Sequence, residues 1–332
     1  MNTLVLAPFT EIALASLRTF GDVVYEPWPE TQVLYDPEEL GDRLTRDGFE
    51  ALLVEADFLF EELFDTAKGL QFAAICRAAL NQVSLDEATE HGVVIVHTPG
   101  RNAQAVAELV LGHLLGLARH ISSAARFVAD GDWQDPTEAY TRFQGRELRG
   151  ATLGLVGLGQ IGTRVALLGR SIGMRVLAYD PYVAPGSRTA AGVEICSLEW
   201  LLAHSDFVSV HVPETEETIG LIGPQQLALM RSDAYLVNVT SPAVVEVNAL
   251  AMALGHNKIA GAAMDVYDSH PIAPNSPLLG LSNMVLTPHI GGATVESIDR
   301  HSSMVVEDIQ RFVAGKRPKR LANPAVWRRR RR

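Results

Sequence analysis

Cysteine is scarce in this chain: Cys76 and Cys196 are the only two among 332 residues. They are too few and too far apart to form a disulfide framework or a thiolate metal cluster. Long apolar runs are missing as well. No stretch approaches the roughly 18 residues a membrane-spanning helix needs, so no membrane partner is expected. The first residues, MNTLVLAPFTEIALAS, lack a basic leader and a small-residue cleavage site. They read as a strand and a helix, not as a signal peptide, and a reduced, cytoplasmic protein is the expectation. Positive charge is also limited, with 28 Lys and Arg against 39 Asp and Glu and a net charge of −11. Phosphate would be repelled, so no nucleic acid is expected as a partner. The exception is the run WRRRRR, Trp327 to Arg332, which reads as a solvated tail without function.

What is abundant is apolar sequence, at 47%. A chain of this length and composition buries a substantial core, most naturally in two domains. In the first hundred residues TLVLAP (3–8), ALLVEA (51–56), LQFAAIC (70–76) and VVIVHTP (93–99) read as strands separated by helical patterns. AQAVAELVLGHLLGLARHI (103–121) is a long apolar helix with Asn102 as its expected N-cap. Capping is also the favoured role for Arg101. Residues 130–150 are polar and read as irregular, and Tyr140 and Arg142 within them cannot be placed by pattern alone. A second set follows: TLGLVGLG (152–159), RVLAYD (175–180), FVSVHVP (207–213), AYLVNVT (234–240), IAGAAMDV (259–266) and NMVLTPH (283–289). Six parallel strands are expected from it, ahead of a last helix over 295–316.

GLVGLGQIG carries the strongest chemistry. Gly157, Gly159 and Gly162 follow a strand and open a helix in G-x-G-x-x-G spacing. That pattern provides a tight turn, close backbone approach to a pyrophosphate and a helix N-terminus facing it, with Gln160 and Ile161 between the last two glycines. The next strand ends in Asp180, 18 residues past Gly162, where an acid would accept hydrogen bonds from ribose hydroxyls. No cation follows in DPYVAPG, so NAD is expected over NADP. Polar groups recur at the other strand ends of this doubly wound sheet: His211 ahead of Pro213, Asn238 and Thr240 on either side of Val239, Asp265, and His289 ahead of Gly291 and Gly292. His211, Pro213, Val239, Thr240, Asp265, Gly291 and Gly292 are expected to line the cofactor. Flanked by proline and glycines, His289 reads as an acid or base.

NQVSLDEATEHGVVIVHTPGRNAQAVAEL, ELRGATLGLVGLGQIG, VSVHVPETEETIGLIGPQQLALM, AGAAMDV and LTPHIGGAT together resemble the NAD-dependent D-2-hydroxyacid dehydrogenase family across nearly the whole chain. The resemblance implies a Rossmann NAD domain (102–295) inserted into a smaller flavodoxin-like α/β substrate domain (1–101 and 296–332). It also implies a homodimer built partly by the 103–121 helix, and hydride transfer between NAD(H) and a small hydroxy or oxo substrate.

In that family an arginine binds the substrate carboxylate, a histidine moves the proton and a glutamate orients the histidine. Carried over, the histidine is His289. The arginine's position holds Ser241, so the strand end LVNVTSPAVVE presents no charge, and the glutamate's position holds His270. The family's carboxylate-binding loop has Ala79 where glycine is usual, which restricts the amide nest. Arg77, two residues earlier, is a candidate substrate cation. A pair formed by His270 and His289 would share at most one proton near neutral pH, which favours proton acceptance and the oxidation direction. Three readings stay open: an oxidoreductase with an altered substrate, a non-catalytic NAD-binding protein, and an enzyme using NAD for transient oxidation. A metal held by His270, Asp268 and His289 would suit the donor types. No short ligand spacing supports it, and none is expected.

Overall fold

The structure is a computed structural model that describes residues 1–184, 186, 189 and 192–331. The chain divides into two compact units, Met1–Asn102 with Thr294–Arg332, and Ala103–Ala293.

The first unit is built on a five-stranded sheet: β1 (Thr3–Val5), β2 (Val23–Tyr25), β3 (Ala51–Val54), β4 (Phe72–Ile75) and β5 (Val94–His97). Every pairing is parallel and the order is β2-β1-β3-β4-β5, the flavodoxin-like arrangement. Continuous apolar runs make β1, β3, β4 and β5 because both faces are covered, whereas β2 at one edge is half-buried throughout. Leu52 and Val54 face one core while Ala51 and Leu53 face the other. The long helix Val295–Val313 returns to this unit and packs Val305 and Ile309 into the second of these cores.

The second unit carries seven parallel strands: β6 (Thr152–Val156), β7 (Arg175–Tyr179), β8 (Glu194–Ile195), β9 (Phe207–Val210), β10 (Tyr235–Asn238), β11 (Gly261–Met264) and β12 (Met284–Leu286). Their order is β12-β11-β10-β9-β6-β7-β8, the doubly wound arrangement with its reversal between β6 and β9. The sheet has two cores. Phe207 and Val237 belong to one, Val208 and Leu236 to the other. Phe207 is fully buried and stacks on Tyr235 at 5.2 Å. Such a side chain costs about 3–5 kcal/mol to truncate to alanine.

Several sequence expectations need correction. β2 and β8 were not foreseen, and both are short. The apolar helix runs Ala103–Ala118 and stops where His120 turns left-handed at φ 54°, after which a new helix spans Ile121–Ala129. Asn102 makes no side-chain hydrogen bond among the described residues, so it caps nothing. The polar segment is not wholly irregular: Pro136–Arg142 is a helix, with the Asp135 carboxylate accepting the Thr137 amide at 2.8 Å. Its Asp-Pro start is a cap followed by proline in the first turn.

The arginine tail is docked in part: Arg328 and Arg329 are exposed, as a solvated tail would be, but Arg330 and Arg331 pack on the protein. Arg331 Nη1 donates to the carbonyls of Ala67 (3.0 Å), Lys68 (2.8 Å) and Leu70 (3.2 Å), and Arg330 lies 3.8 Å over the Trp327 ring. Among the described residues no helix is long and apolar enough to cross a membrane.

Candidate active site

All the strands of the second unit point their carboxyl ends to one edge, and the polar residues collect there. β6 leads into a turn and the helix Gln160–Ser171. Gly157 has φ 99°, and a Cβ there would sit 2.9 Å from the His211 carbonyl carbon. A Cβ on Gly162 would come within 2.2 Å of the Gly157 oxygen. Both glycines are therefore required by the protein's own packing. Gly159 differs, because nothing lies within 4 Å of its added Cβ. That open space faces a helix start with no side-chain cap. Uncapped amides at the positive end of a helix suit a pyrophosphate.

Asp180 closes the turn: its carboxylate accepts the Leu158 amide at 2.9 Å and the Tyr182 amide at 3.0 Å. It stands at the end of β7, where a ribose would reach it. His211 is buried beneath the turn, and neither ring nitrogen has a partner among the described residues. Burial pushes its pKa down to about 3, so the ring is neutral. A buried imidazole without partners calls for a ligand or water. Pro213 is exposed, Val239 is buried, and Thr240 is fixed by its hydroxyl on the Val210 carbonyl at 2.7 Å. Gln160 is exposed and Ile161 half-buried at the helix start. These groups fit a dinucleotide.

At the ends of β11 and β12 Asp265 organises the TPHIGG loop. Its buried carboxylate accepts Thr287 Oγ1 at 2.7 Å, the Ile290 amide at 2.9 Å and the Gly291 amide at 2.7 Å. These bonds make Asp265 a support of the loop. Gly292 is half-buried beside it. The turn holds His289 at φ 56°, with its amide on the Thr287 carbonyl. His289 Nδ1 then lies 2.6 Å from His270 Nε2, with ring centroids 4.8 Å apart. At that separation one nitrogen carries the hydrogen and the other the lone pair, because two N–H groups would oppose each other. Among the described residues no group of three or more His, Cys, Asp or Glu could hold a metal.

Ser241 follows β10 and is buried. Its hydroxyl donates to Glu214 Oε2 at 2.5 Å, and Asn238 Nδ2 donates to its carbonyl at 2.8 Å. Glu214 was not foreseen, although it adjoins Pro213 at the end of the β9 segment. It brings a negative charge to the strand end where the family resemblance places a positive one.

The first unit shows what became of its candidates. Arg77 is half-buried, and the one side-chain hydrogen bond it makes among the described residues is a weak one, Nη1 to Gln82 Oε1 at 3.4 Å. Burial pulls its pKa down; Glu55 opposes this and Arg101 adds to it. Ala79 is exposed and has no positive φ. Even so, the amides of residues 78–81 donate no hydrogen bond among the described residues, while the Arg77 and Ala78 carbonyls are held by Thr98 and His97. Gln82, another residue not foreseen, fixes the loop by donating to the Glu55 and Asp57 carbonyls. Arg101 caps no helix. Its guanidinium pairs with Glu55 at 2.5 Å and meets His301 Nδ1 at 3.0 Å. Tyr140 is exposed, and Arg142 pairs with Glu138 and lies 4.6 Å from the Phe127 ring centroid.

The chain is similar to known proteins over most of its length. Residues 111–291 match the family described as "D-isomer specific 2-hydroxyacid dehydrogenase, NAD binding domain". A glyoxylate reductase of Thermofilum pendens is 36% identical over 95% of this chain and 92% of its own length. A D-3-phosphoglycerate dehydrogenase of Archaeoglobus fulgidus is also 36% identical over 95% of the chain, which spans 58% of that longer protein. The solved structure of the TT0316 protein of Thermus thermophilus superposes with a TM-score of 0.85 at 34% identity, over 97% of this chain and 100% of that one. The chain belongs to the D-2-hydroxyacid dehydrogenase family of NAD-dependent oxidoreductases acting on CH–OH groups.

Proposed function

We propose that this chain is an active dehydrogenase in which a histidine pair replaces the family's histidine and carboxylate. The 2.6 Å contact between His270 Nε2 and His289 Nδ1 carries the reading. Bound NAD supplies the hydride acceptor, or NADH the donor, held by the Gly157–Gly162 turn, Asp180 and the edge residues His211, Pro213, Val239 and Thr240. Asp180 at the end of β7 favours NAD over NADP.

In oxidation His289 Nε2 takes the proton of the substrate hydroxyl while its Nδ1–H donates to the lone pair on His270 Nε2. The imidazolium formed keeps that hydrogen bond, and reduction returns the same proton. Ser241 occupies the arginine's position without its charge. For the substrate carboxylate the candidates are the Arg77 guanidinium and the amides of residues 78–81, whose hydrogen bonds are weak or unmade among the described residues. The first unit then acts as the substrate domain. Exposed Leu115, Ile121, Val128, Trp133 and Tyr140 fall within residues 115–140, and this concentration of exposed apolar side chains supports a homodimer. Two free cysteines are in keeping with a cytoplasmic setting.

The test is nicotinamide absorbance on mixing the protein with NAD and a panel of 2-hydroxy acids, and with NADH and the matching 2-oxo acids. Turnover that is lost in His289→Ala and weakened in Arg77→Ala, with NADH binding intact in both, supports the reading. Tight NADH binding without hydride transfer to any of them overturns it in favour of a non-catalytic or transient-oxidation role.

A further inference from the structure

Glu214 and Ser241 form a polar pair with a one-sided character. Serine has a single hydrogen to donate, and here it is given to Glu214 Oε2. That bond is the only polar contact of the Glu214 side chain among the described residues. What the pair offers a ligand is therefore lone pairs only, on both glutamate oxygens and on the serine oxygen, with a full negative charge. Such a surface receives donors, and cationic donors best.

Its place in the sheet gives it a role. Along the edge the order runs β12, β11, β10, β9, β6, which places His289, Asp265, Ser241, Glu214 and the Gly157 turn in succession. The acceptor pair thus lies between the histidine pair and the dinucleotide turn, on the same edge. β10 stands two strand spacings from β12, about 10 Å, a distance spanned by a substituent several atoms long.

We infer that Glu214, with Ser241 hydrogen-bonded to it, is the specificity-determining group of the substrate site. It selects a hydroxy or oxo acid whose side chain ends in a cationic nitrogen, an ammonium or a guanidinium. A second carboxylate in the substrate is repelled there. This rests on the dehydrogenase reading, since it names the substrate of that site.

Straight-chain 2-hydroxy acids of matched length, ending in ammonium, methyl or carboxylate, provide the probes. Calorimetry reads their binding to the NADH-loaded protein, where no hydride transfer can occur, and initial rates with NAD read kcat/KM. The ammonium compound should bind at least about tenfold tighter than the methyl one, and the carboxylate compound more weakly than either. Glu214→Gln should reduce the ammonium preference to about threefold or less with the melting temperature unchanged. Glu214→Lys should move the preference toward the carboxylate compound. Equal binding of all three compounds, a preference that survives Glu214→Gln, or no binding of any of them overturns the inference. Charge preference in the binding arm with no turnover in the rate arm would instead overturn the dehydrogenase reading and leave this inference standing.

Discussion

Replacing His270 by glutamate probes the histidine pair most informatively. In the native protein His289 Nδ1 lies 2.6 Å from His270 Nε2, an imidazole where the family has a carboxylate, and the two rings lie 4.8 Å apart. A carboxylate at that distance would favour the imidazolium of His289. Two unit charges 4.8 Å apart interact by about 1 kcal/mol in a water-like medium and about 3 kcal/mol at an effective dielectric of 20. Both rings are exposed, so the lower figure applies, and it corresponds to somewhat under one pH unit. The pH midpoint of kcat/KM for hydroxy acid oxidation in His270→Glu should therefore rise by about half to one unit. His270→Ala removes the orienting contact and should lower kcat by about ten- to a thousandfold, without the same displacement of the midpoint. Initial rates across pH 5 to 10, on about a one-unit grid, with NADH binding measured alongside, supply the assay. An unmoved profile in His270→Glu, or full activity in His270→Ala, would refute the claim that the pair works as a unit.

Other outcomes follow from the same geometry. Gly159→Ala should fold and melt like the native protein while losing NADH affinity at least about tenfold, because its Cβ enters only the open space at the helix start. Gly157→Ala should lose about 1 kcal/mol or more of stability in a melt, since φ is 99° and backbone atoms lie 2.9 Å from the added carbon. Stability should fall as pH drops from about 6.5 toward 4. Burial holds His301 neutral in the folded protein down to about pH 4 and His211 to about 3, whereas the unfolded chain protonates both near 6.5. His301 alone accounts for about 3 kcal/mol across that window, and urea melts at pH 7 and pH 4.5 measure it. Arg331→Ala should cost about 1–2 kcal/mol in the same melts, because three carbonyls lose their donor.

The parts of this protein legible in its sequence are those whose signal is local. The glycine turn was readable because its spacing reports steric demands within a few residues, as the contacts of Gly157 and Gly162 show. The strands stood out because burial on both faces leaves an unbroken aliphatic run. β8 did not, since two residues carry no periodicity. The helix at Pro136–Arg142 had a readable start in Asp135-Pro136, but its polar composition concealed it. Glu214 and Gln82 were beyond reach for a different reason: each acts through a partner distant in sequence, Ser241 in one case and the Glu55 and Asp57 carbonyls in the other. The docked arginines looked like a solvated tail because their acceptors are backbone carbonyls, which composition does not reveal.

The most direct test of the account is a single-turnover measurement of nicotinamide absorbance after mixing the NAD-loaded protein with a 2-hydroxy acid. The substrate would carry hydrogen or deuterium on the carbon that gives up the hydride. The account predicts NADH formation that deuterium slows and that His289→Ala abolishes while NAD stays bound. NADH formation at an unchanged rate in His289→Ala, or none at all in the native protein saturated with cofactor and with every acid offered, would contradict it.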